Sequence, residues 1–353
     1  MTVHLYLDRF FLRHDAGPGH PENARRIESV MRSLERHPID GVEDHPPPEA
    51  TREQLLRVHG ETLVDRVAST DGAKRTYLDP DTSTSPDSYR VALRAAGASV
   101  RSTEAVVRGE ADGAFALVRP PGHHAESNEA MGFCLFNNVA VAAAHAIEEL
   151  GLSRVLVLDP DVHHGNGTQE IFFGRKDVLF VSSHRYPFYP GTGWFDEVGS
   201  GDGEGYTVNL PMPPLFGDAD VVHLYAEVVG PIVQAFRPEV ILVSAGFDTW
   251  HEDPLGMLKM TEAGYVTLFR LFRSWALEHC PGRIVGILEG GYEPRGVVAG
   301  VRSALEVFTE PAEDTLDGVA NIALLGPPSE SANAIVENSR RTLASHWPLL
   351  EPA

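Results

Sequence analysis

The segment Asp159-Pro160-Asp161-Val162-His163-His164-Gly165-Asn166 sets a carboxylate and an imidazole two residues apart. In an extended backbone, residues i and i+2 face the same way, so Asp161 and His163 can converge on one ion. A further aspartate, Asp248, lies in Ser244-Ala245-Gly246-Phe247-Asp248. Asp-His-Asp with an open position is the ligand count of a catalytic rather than a structural zinc site. The oxygen-rich set would also take Fe(II), Mn(II) or Co(II). His123 and His124, in Arg119-Pro120-Pro121-Gly122-His123-His124, are candidates for proton transfer beside such an ion, because imidazole titrates near neutrality. Tyr292 follows Glu289-Gly290-Gly291, where glycines allow a close backbone approach, and its hydroxyl could donate to a developing oxyanion. Each residue alone has a plainer explanation: a capped turn, a helix cap, loop histidines, a packing tyrosine.

Their placement decides against those explanations. Ala114–Val118, Val155–Leu158, Val178–Ser182, Val240–Ser244 and Ile284–Leu288 are continuous apolar runs, as expected of strands buried on both faces of a parallel sheet. Helical spacing is expected over 88–108, 138–150, 219–236, 261–279 and 295–308, with Gly151 as a C-cap and Thr261 opening its helix. This alternation predicts an α/β fold with an open, doubly wound, mainly parallel sheet and helices on both faces. Four of the five runs end in the candidate residues, and such sheets bind ligands at the carboxyl ends of their strands. Residues 1–85 are expected to give edge elements and long loops. Residues 310–353, with five prolines and one weak helix near 331–344, are expected to wrap the periphery of a single catalytic domain spanning 1–353.

Composition narrows the partners. The chain has 353 residues, with 29 Lys+Arg against 50 Asp+Glu and a formal charge of −21. Lysine occurs only at 74, 176 and 259, and no basic cluster suited to phosphate appears, which excludes nucleic acid. Cys134 and Cys280 are too few for a disulfide framework or a cysteine-built zinc site. No apolar run approaches a membrane span, and the N-terminus carries charges within its apolar stretch, so a cytoplasmic location is expected. A chain this long buries roughly three-quarters of its unfolded surface, enough to hold polar groups dry.

RPPGHH, DxDVHHGNGTQ, FYPGTG, SAGFD, DPLG and EGGY, in this order, resemble the zinc-dependent histone deacetylase family, also called the deacetylase/acetoin-utilisation/acetylpolyamine amidohydrolase family. HPENARRI at 20–27 is similar to that family's HPExPxRL, with Ala24 in place of a proline. The resemblance runs from about His14 to Phe308, and the asparagine in HHGNG places it nearer the class II branch and its bacterial relatives.

The resemblance implies an arginase/deacetylase-like fold and one Zn²⁺ per chain, Fe²⁺ or Co²⁺ being alternatives, held by Asp161, His163 and Asp248. It implies that His123 and His124 flank the bound water, that Asp159 holds His123, that Asn166 holds His124, and that Tyr292 polarises the carbonyl. It further implies a channel walled by Gly132, Phe133 and Tyr189 with Leu255 at its rim. A structural K⁺ is implied beside main-chain carbonyls of Asp159, Asp161 and His163, with Ser182 nearby. Three positions depart from the pattern: Pro160 removes an amide donor between the aspartates, Tyr189 adds a hydroxyl where phenylalanine is usual, and neutral Asn166 orients His124 without stabilising its charged form.

The expected activity is hydrolysis of an acetyl or other short acyl amide on acyl-lysine, in a peptide or protein, or on a small amine. Alternatives are an N-acetylpolyamine amidohydrolase, disfavoured by apolar Leu255 where an acidic gatekeeper is common, and a silent acyl-lysine binder. An arginase-like two-metal ureohydrolase would need more bridging aspartates. A homo-oligomer is compatible with all of these.

Overall fold

The computed structural model describes residues 1–350. The chain begins with β1 (Val3–Tyr6), α1 (Arg25–Arg36), β2 (Val42–His45), α2 (Arg52–Leu56) and α3 (Glu61–Ala68). A short antiparallel pair, β3 (Thr76–Tyr77) and β4 (Ser83–Thr84), precedes α4 (Ser88–Val107) and β5 (Gly113–Ala116). Then come α5 (Asn138–Glu148), β6 (Val155–Asp159), α6 (Asn166–Phe172), β7 (Val178–Arg185) and β8 (Thr207–Met212). The remainder is α7 (Asp218–Leu224), α8 (Gly230–Phe236), β9 (Val240–Ala245), α9 (Glu262–His279), β10 (Ile284–Leu288), α10 (Pro294–Thr309), α11 (Ala312–Ala320) and α12 (Glu330–Leu343).

Eight strands form one parallel sheet in the order β2-β1-β5-β10-β9-β6-β7-β8. The five apolar runs are five of its six interior strands, β1 being the sixth, and every residue of β5, β6, β9 and β10 is buried. α4 and α5 cover one face, while α1, α9 and α10 cover the other. This is the doubly wound arrangement expected from the alternation. α11 lies on α9, and α12 lies on α7 and β8; residues 351–353 of the expected wrap lie outside the described residues.

Two expectations need correction. The stretch 219–236 is two α-helices joined by a π-helical segment, Tyr225–Val229, in which Gly230 N–H reaches back to Tyr225 O. Pro231 supplies the reason: it has no N–H, and its ring would strike the carbonyl four residues back, so the turn widens. Residues 1–85 supply an edge of the sheet as expected, but they also contain the twelve-residue α1. Ile27, Val30 and Met31 of α1 are buried and Leu34 packs against them, a helical stripe visible in the sequence.

Buried histidines bolt the loops to this frame. His59 Nε2 accepts from Asn137 N–H at 2.8 Å, so its proton sits on Nδ1, which donates to Glu126 O at 3.0 Å. His14 is equally buried, with Ser88 Oγ 2.8 Å from its Nδ1. Burial pushes both imidazoles down to a pKa of about 4. The folded protein thus binds these protons less tightly than the unfolded chain. Stability is full above about pH 6.5 and falls as pH drops toward 4, by up to about 3 kcal/mol per histidine. Urea unfolding across this window should show that decline, and His59→Gln should make it shallower; a slope unchanged by the substitution would contradict the assignment.

Candidate metal centre and active site

β5, β10, β9 and β6 are contiguous in the sheet, and the loops leaving their carboxyl ends carry the chemistry. Asp161, His163 and Asp248 meet there: one donor atom from each lies within 4.8 Å of the other two, and all three residues are buried. His163 Nδ1 stands 3.1 Å from Asp161 Oδ1 and 3.2 Å from Asp248 Oδ2.

Backbone amides aim the carboxylates. Asp248 Oδ1 accepts from Val162 N–H at 2.8 Å, and Asp161 Oδ2 accepts from Gly290 N–H at 2.9 Å. A methyl group at Gly290 would collide with both carboxylates, which explains a glycine at this close approach. Asp248 Oδ2 is sealed from solvent and has no hydrogen-bond partner.

The electrostatics are those of an incomplete cation site. Burial, reinforced by the charge of Asp161, pushes the Asp248 carboxyl up. Burial alone would lower the His163 pKa, but the two carboxylates outweigh it and drive it upward. A dry pocket with two acids and an orphaned oxygen needs positive charge. Two oxygens and one imidazole nitrogen suit Zn²⁺, and also Fe²⁺ or Co²⁺. The donor set therefore fits a divalent ion.

The paired histidines stand beside it, their rings 4.0 Å apart. His123 Nδ1 is 3.0 Å from Asp159 Oδ2, and its Nε2 is 3.9 Å from Asp161 Oδ1. Burial opposes the charged form of His123, but Asp159, Asp161 and Glu289 outweigh burial and raise its pKa. His124 Nδ1 lies 2.7 Å from Asn166 Oδ1. Asn166 Nδ2 donates to Glu126 Oε1 at 2.8 Å, and this contact fixes which way the amide points. Oδ1 can only accept, so the His124 proton sits on Nδ1 and Nε2 keeps its lone pair. Burial, together with the neighbouring His123 and His163, holds His124 well below its usual pKa.

The remaining expected residues surround these groups. Gly132 has φ +57° and lies against the His124 ring, leaving no room for a side chain. The Phe133 ring meets the Tyr292 ring edge-on at 6.0 Å, and the Tyr189 ring meets His124 edge-on at 5.1 Å. Phe188, not singled out from the sequence, stacks on His163 at 5.0 Å. Leu255 is tied to the Tyr292 loop through Asp253, whose Oδ1 takes Leu255 N–H and whose Oδ2 takes Tyr292 N–H. Burial, with the charges of Asp248 and Asp161, pushes the Tyr292 hydroxyl well above its usual pKa, so it stays protonated. Ser182 is buried beside Asp159 on β7, with Oγ 3.0 Å from His184 Nδ1. Pro160 leaves this geometry intact, because Asp161 N–H still reaches Asp159 Oδ1 at 3.3 Å.

The chain matches the histone deacetylase domain family over residues 20–308. It belongs to the histone deacetylase family. Similar proteins include a probable deacetylase of Archaeoglobus fulgidus, 40% identical, with 84% of this chain and 83% of that protein aligned. A histone deacetylase-like amidohydrolase of Pseudomonas aeruginosa is 35% identical, with 89% of each chain aligned. The crystal structure of the HDA15 HD domain superposes with a TM-score of 0.90 at 37% identity, covering 99% of this chain and 96% of that one. Against the full-length histone deacetylase 15 of Arabidopsis thaliana, 42% identical, the alignment covers 82% of this chain and 52% of the plant protein.

One part of this family domain was not legible as machinery. Glu22 is fully buried between two guanidinium groups: Arg119 reaches it through Nε at 2.5 Å and Nη2 at 2.7 Å, and Arg26 through Nη1 at 3.1 Å. Arg26 also donates to the carbonyls of Gly291 and Glu289. The network locks the α1 entry, the RPPGHH loop and the EGGY loop together, behind both His123 and Tyr292. Glu22 and Arg26 fall in HPENARRI and Arg119 in RPPGHH, but the motifs gave them no role, and only the i,i+4 spacing of Glu22 and Arg26 hinted at a pair. Glu22→Ala would leave two arginines buried without a counter-charge, a loss of about 3–5 kcal/mol. Denaturant unfolding should register it; a loss below about 1 kcal/mol would show that the network is not coupled to the fold.

Proposed function

We propose that this chain is a metal-dependent deacetylase that removes acetyl or another short acyl group from acyl-lysine or a related N-acylated amine. The observation that carries the proposal is the convergence of Asp161, His163 and Asp248 beside two imidazoles whose outer nitrogens are separately anchored. Those three residues would hold one Zn²⁺, or Fe²⁺ or Co²⁺ in its place. Such an ion supplies Lewis acidity toward an amide carbonyl and acidifies water from a pKa of 15.7 toward about 7.

The protein's own groups then divide the proton work. Glu126 orients Asn166, Asn166 fixes the His124 tautomer, and His124 Nε2 is left as the acceptor for the proton of an attacking water. Asp159 anchors His123 at Nδ1, which keeps the second imidazole charged and turned toward the developing negative charge. Tyr292 donates its hydroxyl hydrogen to the carbonyl oxygen as that oxygen gains charge. A proton returned from the histidine pair to the amine nitrogen releases the free amine, and the acyl group leaves as acetate.

Phe133, Tyr189 and Gly132 form a narrow wall that excludes water and receives the methylenes of a lysine side chain. Apolar Leu255 near the Tyr292 loop favours acyl-lysine over an acetylated polyamine, which would place a second cation close by. On the same reading the chain acts as one catalytic domain with residues 310–353 as its peripheral wrap, and the carbonyls around Asp159, Asp161 and His163 would hold a structural K⁺.

Tyr292→Phe should lower turnover of an acetyl-lysine peptide about 10²–10³-fold while the protein remains folded. Retention of more than half the wild-type rate would refute the role given to the hydroxyl. In a parallel assay, acetyl-lysine peptide should be turned over faster than acetylspermidine; the opposite order would favour the polyamine reading.

A further inference from the structure

A second convergence of ligand atoms lies at the far edge of the sheet, with β5, β10 and β9 between it and β6. β1 and β2 run parallel with His4 opposite Glu43 and Tyr6 opposite His45. Alternate residues of a strand share a face, so all four side chains project to the same side. A ring nitrogen from each of His4 and His45 and a carboxylate oxygen of Glu43 lie within 4.8 Å of one another. The two imidazoles face each other with centroids 3.9 Å apart. His45 Nε2 is sealed from solvent, has no hydrogen-bond partner, and lies 3.9 Å from Glu43 Oε2. Tyr6 backs both rings: its hydroxyl is 3.4 Å from His4 Nδ1 and its ring is 5.5 Å from His45.

Nothing in the neighbourhood replaces the missing partner. α4 brings Arg101 and Glu104 toward this face, and the turn after it brings Glu110. Arg101 is committed to Glu110, and Glu104 to Arg108 and His145, so neither arginine is left to pair with Glu43. β2 itself reads Val-Glu-Asp-His, a composition poor in strand formers, yet it closes the sheet with its outer edge unpaired.

We propose that His4, Glu43 and His45 form a second divalent-metal site that fastens β2 onto β1. Two imidazoles and one carboxylate suit a borderline transition ion such as Zn²⁺, Ni²⁺ or Cu²⁺ rather than Mg²⁺ or Ca²⁺. Tyr6 Oη accepting from His4 Nδ1–H is the outer contact that fixes a ligating histidine's tautomer. The ion would satisfy the orphaned His45 nitrogen and hold an edge strand that its own sequence holds weakly. It is independent of the ion proposed for Asp161, His163 and Asp248.

The test is metal content and spectroscopy on the full chain. Metal-free protein saturated with Zn²⁺ and then desalted should carry one ion more per chain than Glu43→Gln or His45→Gln, two partly exposed positions whose replacement spares the core. Both variants should deacetylate within about twofold of wild type. Zn²⁺ should raise the thermal midpoint of Asp248→Asn protein, in which the catalytic set is disabled, but not that of Asp248→Asn combined with His45→Gln. Cu²⁺ bound to Asp248→Asn protein should show electron-spin splitting from two imidazole nitrogens, lost in the combined variant. Equal metal content in wild type and both single variants, or a Cu²⁺ spectrum unchanged by His45→Gln, would overturn the site.

Discussion

The organising constraint is a ring of buried carboxylates, each held by backbone amides from a different strand end. Asp248, after β9, takes Val162 N–H from the loop after β6. Asp161, after β6, takes Gly290 N–H from the loop after β10. Glu289, at the end of β10, takes Gly122 and His123 N–H from the loop after β5. His123 O closes the circuit by accepting from Gly167 and Thr168 at the start of α6. Desolvating this many acids is expensive, and only well-aimed donors offset it. No loop can shift without breaking a bond to the next.

Chemistry follows from that rigidity. Four loops of separate origin hold their side chains in one arrangement because the buried acids of the candidate metal site also act as clamps. Asp161 and Asp248 each give one oxygen to the amide of a neighbouring loop, while Asp161 Oδ1, which also accepts His163 N–H, and Asp248 Oδ2 face the His163 ring. Behind them, the Glu22, Arg26 and Arg119 cluster carries α1 into the same structure, so a helix near the N-terminus supports a tyrosine near residue 300. The split between the two histidines comes from the charged Asp159 behind His123 on one side, and on the other from burial of His124 beside His123 and His163 with only a neutral Asn166, steered by Glu126, behind it.

Much of this was legible because it rests on short-range pattern. β5, β6, β7, β9 and β10 are uninterrupted apolar runs, and a strand buried on both faces leaves that mark. β1, β2 and β8 were missed for a physical reason: they lie at or beside the edges, where polar residues interrupt the apolar run, as His4, Glu43, Asp44, Thr207 and Asn209 do. β8 even carries Pro211, which an edge strand accepts and an interior strand does not. Asp161 with His163 and the adjacent histidine pair were visible because their spacing is local, and Asp248 because it follows an apolar run; the outer partners Asp159 and Asn166, 36 and 42 residues from their histidines, came only through the family resemblance. Glu126, Glu289 as a clamp and the Glu22 network were not, because their partners lie 40, 166 or 97 residues away and only the folded chain brings them together.

The account stands on one coordination sphere. Crystals of the zinc-reconstituted protein, measured at the zinc absorption edge, test it directly. It predicts an anomalous peak bound by Asp161, His163 and Asp248 at about 2.0–2.2 Å, with Tyr292 and the paired histidines facing it and no protein ligand in the remaining position. A zinc-loaded, active crystal with no peak among those three side chains, or with His123 or His124 as ligands, would contradict it.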